Sequence, residues 1–153
     1  MTAKRRVVVT GLGMVSPLGN DLQSSWDGLV AGRSGIDRIT KFDASTFGCQ
    51  IAGEVRGFDV GVYMSPKEAR RMDVFIHYGI AASVQAIKDS GIEVTDANRE
   101  RIGVIVGSGI GGLPMIEDNH TELRTRGARR ISPFLIPGSI INMISGNLSI
   151  MYG

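Results

Sequence analysis

The chain has 153 residues, enough for one domain with a buried core, and its 42% hydrophobic and 21% charged residues are typical of globular proteins. Its net charge of +2 is too small to favour nucleic acid as a partner, and its single cysteine excludes an intrachain disulfide, which favours a reducing compartment. No stretch reaches the roughly 18 apolar residues of a membrane helix, and the apolar start breaks at Thr10 and Gly11 without a signal-peptide cleavage site. We therefore expect a cytoplasmic protein with no membrane and no nucleic acid partner.

The first predicted elements are a strand, a loop and a helix. Residues 7–9 are consecutive valines and predict a buried strand, which a loop rich in glycine and proline follows at residues 11–19. Asn20 or Asp21 can cap the helix that comes next, and Gly32 is expected to end it. The predicted buried face of this helix consists of apolar residues at helical spacing, namely Leu22, Trp26, Leu29 and Val30.

The middle of the chain combines an irregular segment with a long helix. Residues 33–64 lack a regular hydrophobic pattern, which predicts an insertion with short hairpin strands near residues 50–55. Ser65 begins a helix, because a proline follows it and Glu68 can complete a capping box. Apolar residues then recur at three- and four-residue steps, which predicts one continuous helix from Ser65 to about Ser90.

The last third of the chain begins with a second apolar stretch. Residues 102–106 predict another buried strand, which ends in a glycine-rich turn at residues 107–112. A polar helix is expected at residues 115–126, a basic loop at 127–133, and a final helix at 139–152 that protein should surround on all sides. Alternating strands and helices favour the α/β class with a parallel sheet and right-handed crossovers.

The glycine turn at residues 107–112 matches the G-x-G-x-x-G pattern of dinucleotide-binding proteins. Pro114 interrupts the helix start that this motif requires, and no acidic residue follows a further strand about 20 residues later. The motif is therefore weak evidence. A nucleotide-binding module is kept as an alternative that NAD or ATP would reveal by raising the melting temperature.

Catalytic residues and metal ligands are not indicated by any local signature. Cys49 could act as a nucleophile with His77 or His120, but it lies in the irregular insertion and no motif links it to either histidine. We interpret all three as structural or surface residues. No spacing of cysteine, histidine and carboxylate residues predicts a metal site.

Basic residues cluster in two places. Lys67, Arg70 and Arg71 lie near the start of the long predicted helix, and Arg129 and Arg130 lie in the basic loop. Such clusters are usually solvated surface charge, but they can also attract an acidic partner protein. Charge alone does not decide between these two interpretations.

Six motifs follow one another along the chain: RRVVVTGLGMVSPLG at 5–19, SW at 25–26, AGRSGI at 31–36, RMD at 71–73, GSGIGG at 107–112 and RISPF at 130–134. In this order they closely resemble the N-terminal part of type II β-ketoacyl-acyl-carrier-protein synthases, the condensing enzymes of bacterial fatty acid synthesis. Each motif is weak alone, but together they are specific, and the resemblance covers essentially all 153 residues.

The resemblance implies a thiolase-like fold, of which residues 1–153 would form an incomplete N-terminal αβαβα half with an irregular insertion. It implies a homodimeric acyltransferase that condenses an acyl thioester with malonyl-acyl-carrier protein and loses carbon dioxide. The family's cysteine nucleophile and two histidines are expected beyond Gly153, so no residue of this chain is expected to be catalytic and the fragment alone is expected to be inactive. No cofactor is implied, because the phosphopantetheine arm of acyl carrier protein holds the substrates.

The resemblance also assigns binding roles. Gly109 and Ile110 correspond to the turn that lines the acyl pocket, where the larger residue gates entry of the chain, and Leu135 corresponds to a residue that reaches the partner subunit's pocket. The family's docking site for acyl carrier protein corresponds to Lys67, Arg70, Arg71, Arg129 and Arg130. An alternative from another class is a non-catalytic thiolase-like subunit, such as a chain-length factor, that pairs with an active partner.

Overall fold

The computed structural model describes residues 4–153 and divides into two compact units. The first unit comprises the described residues up to Gly57 together with Ala82–Ile92, and the second comprises Phe58–Ala81 and Glu93–Gly153. The α-helices are α1 Leu22–Val30, α2 Pro66–Ala69, α3 Val74–Ser90, α4 Leu113–Arg126, α5 Leu135–Ser139 and α6 Met143–Tyr152. Short 3-10 turns occur at Val60–Val62, Arg99–Arg101 and Ala128–Arg130. No helix among the described residues is both long and apolar enough to span a bilayer.

Helix α1 begins where the sequence predicts, and Asp21 rather than Asn20 caps it. The Asp21 carboxylate accepts a hydrogen bond from the Ser24 N–H at 2.7 Å, which holds the pKa of Asp21 below its usual range. The predicted buried face is wrong, because Trp26, Leu29 and Val30 are all exposed. The helix instead buries small residues, since Ser25 shares a hydrogen bond with Ser16 and donates another to Gly19 O. Close approach of the preceding loop therefore selects the buried face.

The insertion contains a small hairpin at the predicted place. Strands β1, Asp37–Arg38, and β2, Ile51–Ala52, pair antiparallel, with Asp37 opposite Ala52 and Arg38 opposite Ile51. Glu54 is buried beside this hairpin and accepts hydrogen bonds from the Thr40 hydroxyl at 2.7 Å and from the Thr40 and Lys41 N–H groups. These hydrogen bonds offset the cost of burying the Glu54 carboxylate, which links the segment after β1 to the segment after β2.

The predicted buried strands at residues 7–9 and 102–106 are not present as strands in the structure. Among the described residues, the only sheet is the β1–β2 pair, so the predicted parallel sheet is also not formed. The side chains of Val7 and Ile105 are 90% and 98% exposed. A strand is stabilised by backbone hydrogen bonds to a neighbouring strand, and these two segments have no such neighbour within residues 4–153.

The continuous helix predicted from Ser65 to Ser90 is two helices in the structure. The predicted capping box is confirmed, because Ser65 Oγ accepts from the Glu68 N–H and the Glu68 carboxylate accepts from the Ser65 N–H at 3.0 Å. Helix α2 ends at Ala69, however, and α3 begins only at Val74. The Asp73 N–H donates to Gly138 O at 3.0 Å instead of to a carbonyl of α2, so a tertiary contact interrupts the helix.

The core of the second unit lies between the first half of α3 and α6. Its buried side chains are Ile76, Ile80, Ala81, Ile144 and Leu148. Helix α4 matches the predicted polar helix, beginning two residues earlier. The final helix predicted at 139–152 corresponds to α6, which begins only at Met143, because Ser139 is the last residue of the separate short helix α5. The expectation that protein surrounds the final helix on all sides is wrong for the described residues, because Ile150 and Met151 are exposed.

Candidate functional site

Helix α2 and the turn after it present the first basic cluster on the surface. Lys67, Arg70 and Arg71 are all exposed, and none of them forms an ion pair within residues 4–153. The neighbouring Glu68 carboxylate accepts hydrogen bonds from the Ser65 hydroxyl and N–H, which lowers its pKa. Glu68 is therefore occupied as part of the helix cap; the charge of Arg71 also contributes to the lowering of its pKa, although no ion pair joins the two among the described residues.

The second basic cluster lies on the short turn after α4. Arg129 and Arg130 are exposed, and no ion pair within the described part of the chain involves them. The structure brings this segment beside the first cluster: the Arg71 guanidinium lies 4.6 Å from the centre of the Phe134 ring, a cation–π distance. We call the five residues Lys67, Arg70, Arg71, Arg129 and Arg130 the basic patch.

A cavity of about 350 Å³ lies next to the basic patch. Arg70 and Ser132 both line it, so segments that are about 60 positions apart in sequence share one cavity wall. Its lining residues are Arg70, Met72, Asp73, Val74, Pro114, Met115, Asp118, Asn119 and Ser132. The cavity thus lies between Arg70 of the first cluster, Ser132 and the N-terminal half of α4.

Asn119 connects α4 to the segment that carries the second basic cluster. It is buried, its amide nitrogen donates to Met115 O at 2.8 Å, and its Oδ1 accepts from the Ser132 N–H at 2.7 Å. Sequence reasoning missed this residue, because a single asparagine in a polar helix has no distinguishing pattern. Both polar atoms of its side chain are satisfied, so we interpret it as a structural link.

Asp73 connects three segments around the same cavity. It is 5% exposed, its Oδ2 accepts from the Met115 N–H at 2.8 Å, and its own N–H donates to Gly138 O. Gly112, at the N-cap position of α4, offers no side-chain acceptor, so Asp73 supplies that acceptor from a distant part of the chain. Its Oδ1 is buried and has no hydrogen-bond partner among the described residues. The RMD motif contains this aspartate, but its role could not be predicted from the motif.

The glycine turn, residues 107–112, is anchored at one end and open at the other. The Gly112 N–H donates to Ser139 O at 2.9 Å, and a Cβ at Gly112 would lie 2.8 Å from Ser139 Cα and 2.9 Å from Asp73 Cβ. Only glycine allows this approach. At the other end, a Cβ at Gly109 would meet no atom within 4 Å, and the Ile110 side chain is 71% exposed.

The remaining candidate residues occupy separate places. Leu135 is half-buried at the first position of α5, the helix whose Ser139 anchors the glycine turn. Cys49 is exposed and its thiol donates to Ile51 O at 3.4 Å, whereas His77 Nε2 lies 2.9 Å from Ala69 O and His120 is exposed. No group of three or more potential metal ligands is found within residues 4–153.

A family model described as "Beta-ketoacyl synthase, N-terminal domain" matches residues 4–153, so the chain belongs to the beta-ketoacyl synthase family. It is 58% identical over 151 residues to 3-oxoacyl-acyl-carrier-protein synthase 2 of Vibrio cholerae, and 50% identical over 150 residues to the protein of the same name from Synechocystis. These alignments cover 99% and 98% of this chain. The chain spans only 36% of the length of either relative.

Solved structures place the fold in the same class. The chain is similar to a ketosynthase assembly described as a type II PKS acyl-carrier protein in complex with its ketosynthase, with a TM-score of 0.79 and 29% identity over 98% of this chain and 39% of that one. It is also similar to the ishigamide ketosynthase/chain length factor, with a TM-score of 0.78 and 28% identity over 98% of this chain and 37% of that one. The fold is therefore a partial thiolase-like α/β fold, as the motifs predicted.

Proposed function

We propose that the chain is the N-terminal part of a 3-oxoacyl-acyl-carrier-protein synthase that elongates acyl chains by decarboxylative condensation. The observation that carries the proposal is the 58% identity to a synthase of that name over 99% of this chain. Because the chain spans 36% of that relative, we assign the covalent chemistry to the part of the synthase outside these residues. The residues described here would bind and position the substrates.

The proposed reaction has two stages. A cysteine thiolate attacks the thioester carbonyl of an acyl-carrier protein, and the carrier thiolate leaves and takes a proton from solvent to become the thiol. Malonyl-carrier protein then loses carbon dioxide, and the resulting enolate carbon attacks the acyl-cysteine carbonyl. The carbon–carbon bond forms as the carbon–sulfur bond to cysteine breaks, which yields a 3-oxoacyl-carrier protein and regenerates the thiolate. No redox step or metal is required by this balance.

The basic patch is proposed to dock the acyl carrier protein. Its five side chains are exposed and form no ion pair within the described residues, Arg71 contacts Phe134 of the segment that follows Arg130, and Arg70 lines the neighbouring cavity. A carrier protein is acidic, so the opposite charges would steer the encounter and fix the orientation of the complex. Support for a carrier-protein partner also comes from the neighbouring ketosynthase structure, which is described as a complex with an acyl-carrier protein.

Gly109, Ile110 and Leu135 are proposed to contact the acyl chain. The open end of the glycine turn leaves the Ile110 side chain free to meet a ligand, and Gly112 joins that turn to the helix that begins at Leu135. Replacing Ile110 with phenylalanine in the complete synthase should shorten the acyl chains that are accepted. An unaltered product profile would count against this role.

A charge-reversal experiment tests the docking proposal. In the complete synthase, the double variant Arg70→Glu and Arg129→Glu should bind acyl carrier protein about tenfold more weakly than wild type at low ionic strength, where the Debye length is about 30 Å. The difference should shrink at about 1 M salt, where that length is about 3 Å. Titration calorimetry or fluorescence anisotropy measures both affinities.

The matched control is a double variant that reverses two arginine charges outside the basic patch, so that its net charge equals that of the patch variant. Arg99 and Arg101 are exposed in a separate 3-10 turn, and Arg99 is paired with Asp96 at 3.4 Å. At about 0.15 M salt, where the Debye length is about 8 Å, reversing both charges should leave carrier-protein affinity within about twofold of wild type, because exposed charges beyond a Debye length are screened, whereas the patch variant should still bind more weakly than wild type. Equal weakening by both double variants, or a salt-independent loss, would refute a localised docking site.

The ishigamide ketosynthase/chain length factor neighbour favours a second candidate, a non-catalytic subunit that pairs with an active synthase. The two candidates differ in covalent chemistry. The complete protein, incubated with labelled acyl-carrier protein, should retain the label covalently if it is a synthase. A chain-length factor would remain unlabelled alone and would alter product length only when an active partner is present.

The proposal also includes a cytoplasmic homodimer. The single cysteine favours a reducing compartment, and the homodimer is what the resemblance to the condensing enzymes implies. Light scattering of the complete protein measures its mass directly, and a monomer at micromolar concentration would contradict the homodimer.

A further inference from the structure

Asp73 is a buried charged residue without a role in the binding proposals above. We propose that it is a positioning residue that holds the glycine turn and α5 in place, and thereby sets which acyl chain lengths the synthase accepts. The inference rests on the proposed condensing activity and on the proposed acyl contacts of Ile110 and Leu135. Its evidence is a set of contacts within the second unit.

The first contact is with the start of α4. The Asp73 carboxylate accepts the Met115 N–H at 2.8 Å, in the first turn of a 14-residue helix. Pro114 has no N–H and Gly112 has no side chain, so the helix itself provides no side-chain cap. A carboxylate at this end also interacts favourably with the helix dipole. The position of Asp73 therefore determines where α4 begins.

The second contact is with the end of the glycine turn. A Cβ at Gly112 would lie 2.9 Å from Asp73 Cβ and 3.0 Å from Asp73 Oδ2, so the turn packs directly against this side chain. Ser139 O accepts the Gly112 N–H from the opposite side. The turn is thus held between Asp73 and α5, only two residues from Ile110, whose side chain is unsupported.

The third contact is with α5. The Asp73 N–H donates to Gly138 O at 3.0 Å, and a Cβ at Gly138 would lie 2.5 Å from Arg71 O. Helix α5 begins at Leu135. The backbone of residues 71–73 and the Asp73 side chain therefore support both segments that are proposed to touch the acyl chain. Removing the carboxylate would release the turn while leaving unmutated every residue that is proposed to contact the acyl chain.

The test uses the ratio of kcat/KM for a long-chain to a medium-chain acyl-carrier-protein substrate in the complete synthase. If a variant only reduces the fraction of folded enzyme, both kcat/KM values fall by the same factor. A role of Asp73 in stability alone would therefore leave this ratio unchanged. Asp73→Ala should change the ratio by about tenfold, because displacements of about 1 Å near a bound substrate cost up to about a hundredfold in rate. Asp73→Asn should keep the ratio within about twofold of wild type, since its amide oxygen can still accept the Met115 N–H.

Two further variants serve as controls. Asp118→Asn removes an exposed carboxylate from the same cavity wall and should leave the ratio unchanged. Ile110→Phe alters the proposed pocket directly and should change the ratio. If Asp73→Ala does not fold, Asp73→Ser, which keeps a smaller acceptor, should shift the ratio in the same direction by a smaller factor.

The outcomes separate the two proposals. An inactive wild-type complete protein would refute the proposed function itself. An active enzyme whose ratio responds to Ile110→Phe but not to Asp73→Ala or Asp73→Ser would overturn only the positioning role. A ratio changed equally by Asp73→Asn and Asp118→Asn would also overturn it, because the cause would then be charge near the cavity rather than the hydrogen bond to α4.

Discussion

Replacing Gly138 with alanine is expected to lower the free energy of unfolding by about 2 kcal/mol. The added Cβ would lie 2.5 Å from Arg71 O and 2.6 Å from Met115 Sδ, far inside normal contact distances of about 3.5–4.0 Å. The methionine side chain can move aside, but the Arg71 carbonyl belongs to the backbone. Overpacking of this kind costs about 1–3 kcal/mol, and a displaced α5 would also lose the hydrogen bond from Asp73 N–H to Gly138 O, worth about 1 kcal/mol. The higher helix propensity of alanine, about 1 kcal/mol, offsets part of this loss.

The measurement is urea unfolding of the complete synthase, in which the midpoint falls at unchanged slope if only native stability is altered. Gly48→Ala is the matched control, because a Cβ at Gly48 meets no atom within 4 Å and the residue is exposed. That control should lie within about 0.5 kcal/mol of wild type. A Gly138→Ala midpoint equal to or above that of Gly48→Ala would refute the close packing of α5 against residues 71–73.

Two other predictions concern side-chain hydrogen bonds. Ser65→Ala removes the capping box of α2 and should lower the free energy of unfolding by about 1 kcal/mol in the same urea assay. Ser65→Asp retains an acceptor for the Glu68 N–H and should lower it less. Equal losses in the two variants would argue against the cap. The hydrogen bonds from the Thr40 hydroxyl and N–H lower the pKa of Glu54. The ionised Glu54 carboxylate therefore stabilises the fold fully above the ordinary carboxyl pKa, and this stabilisation is lost as the pH falls through the lowered pKa. The protection factors of the Thr40 and Lys41 amides, which compare observed exchange with the intrinsic rate at each pH, should therefore fall as the pH drops below the ordinary glutamate pKa of about 4.3. Glu54→Gln should remove this dependence, and the same acid response in both proteins would contradict the assignment.

Local features of the structure were predictable from the sequence. The capping box at Ser65, the cap at Asp21 and the polar helix that ends at Arg126 all occur where their patterns indicated. Each depends on residues within about four positions of one another, because capping and helical hydrogen bonds have that range. The family and the thiolase-like fold were likewise identified correctly from motifs.

Features that depend on distant residues could not be predicted. The predicted strands at residues 7–9 and 102–106 failed because pairing depends on a neighbouring strand, which no pattern within a segment supplies. The buried face of α1 was wrong because the loop around Ser16 covers Ser25 rather than the apolar stripe. The break between α2 and α3 arises from Gly138, which lies more than 60 residues away from Asp73.

The candidate site shows the same division. The sequence alone determined which residues carry positive charge, where a glycine turn must lie, and to which family the chain belongs. The tertiary structure decided that Arg70 and Ser132 line one cavity, and that Asp73 and Asn119 hold the surrounding segments together. The physical reason is that a side chain's charge and backbone preference belong to the residue itself, whereas its burial and hydrogen-bond partners depend on segments that only folding brings into contact.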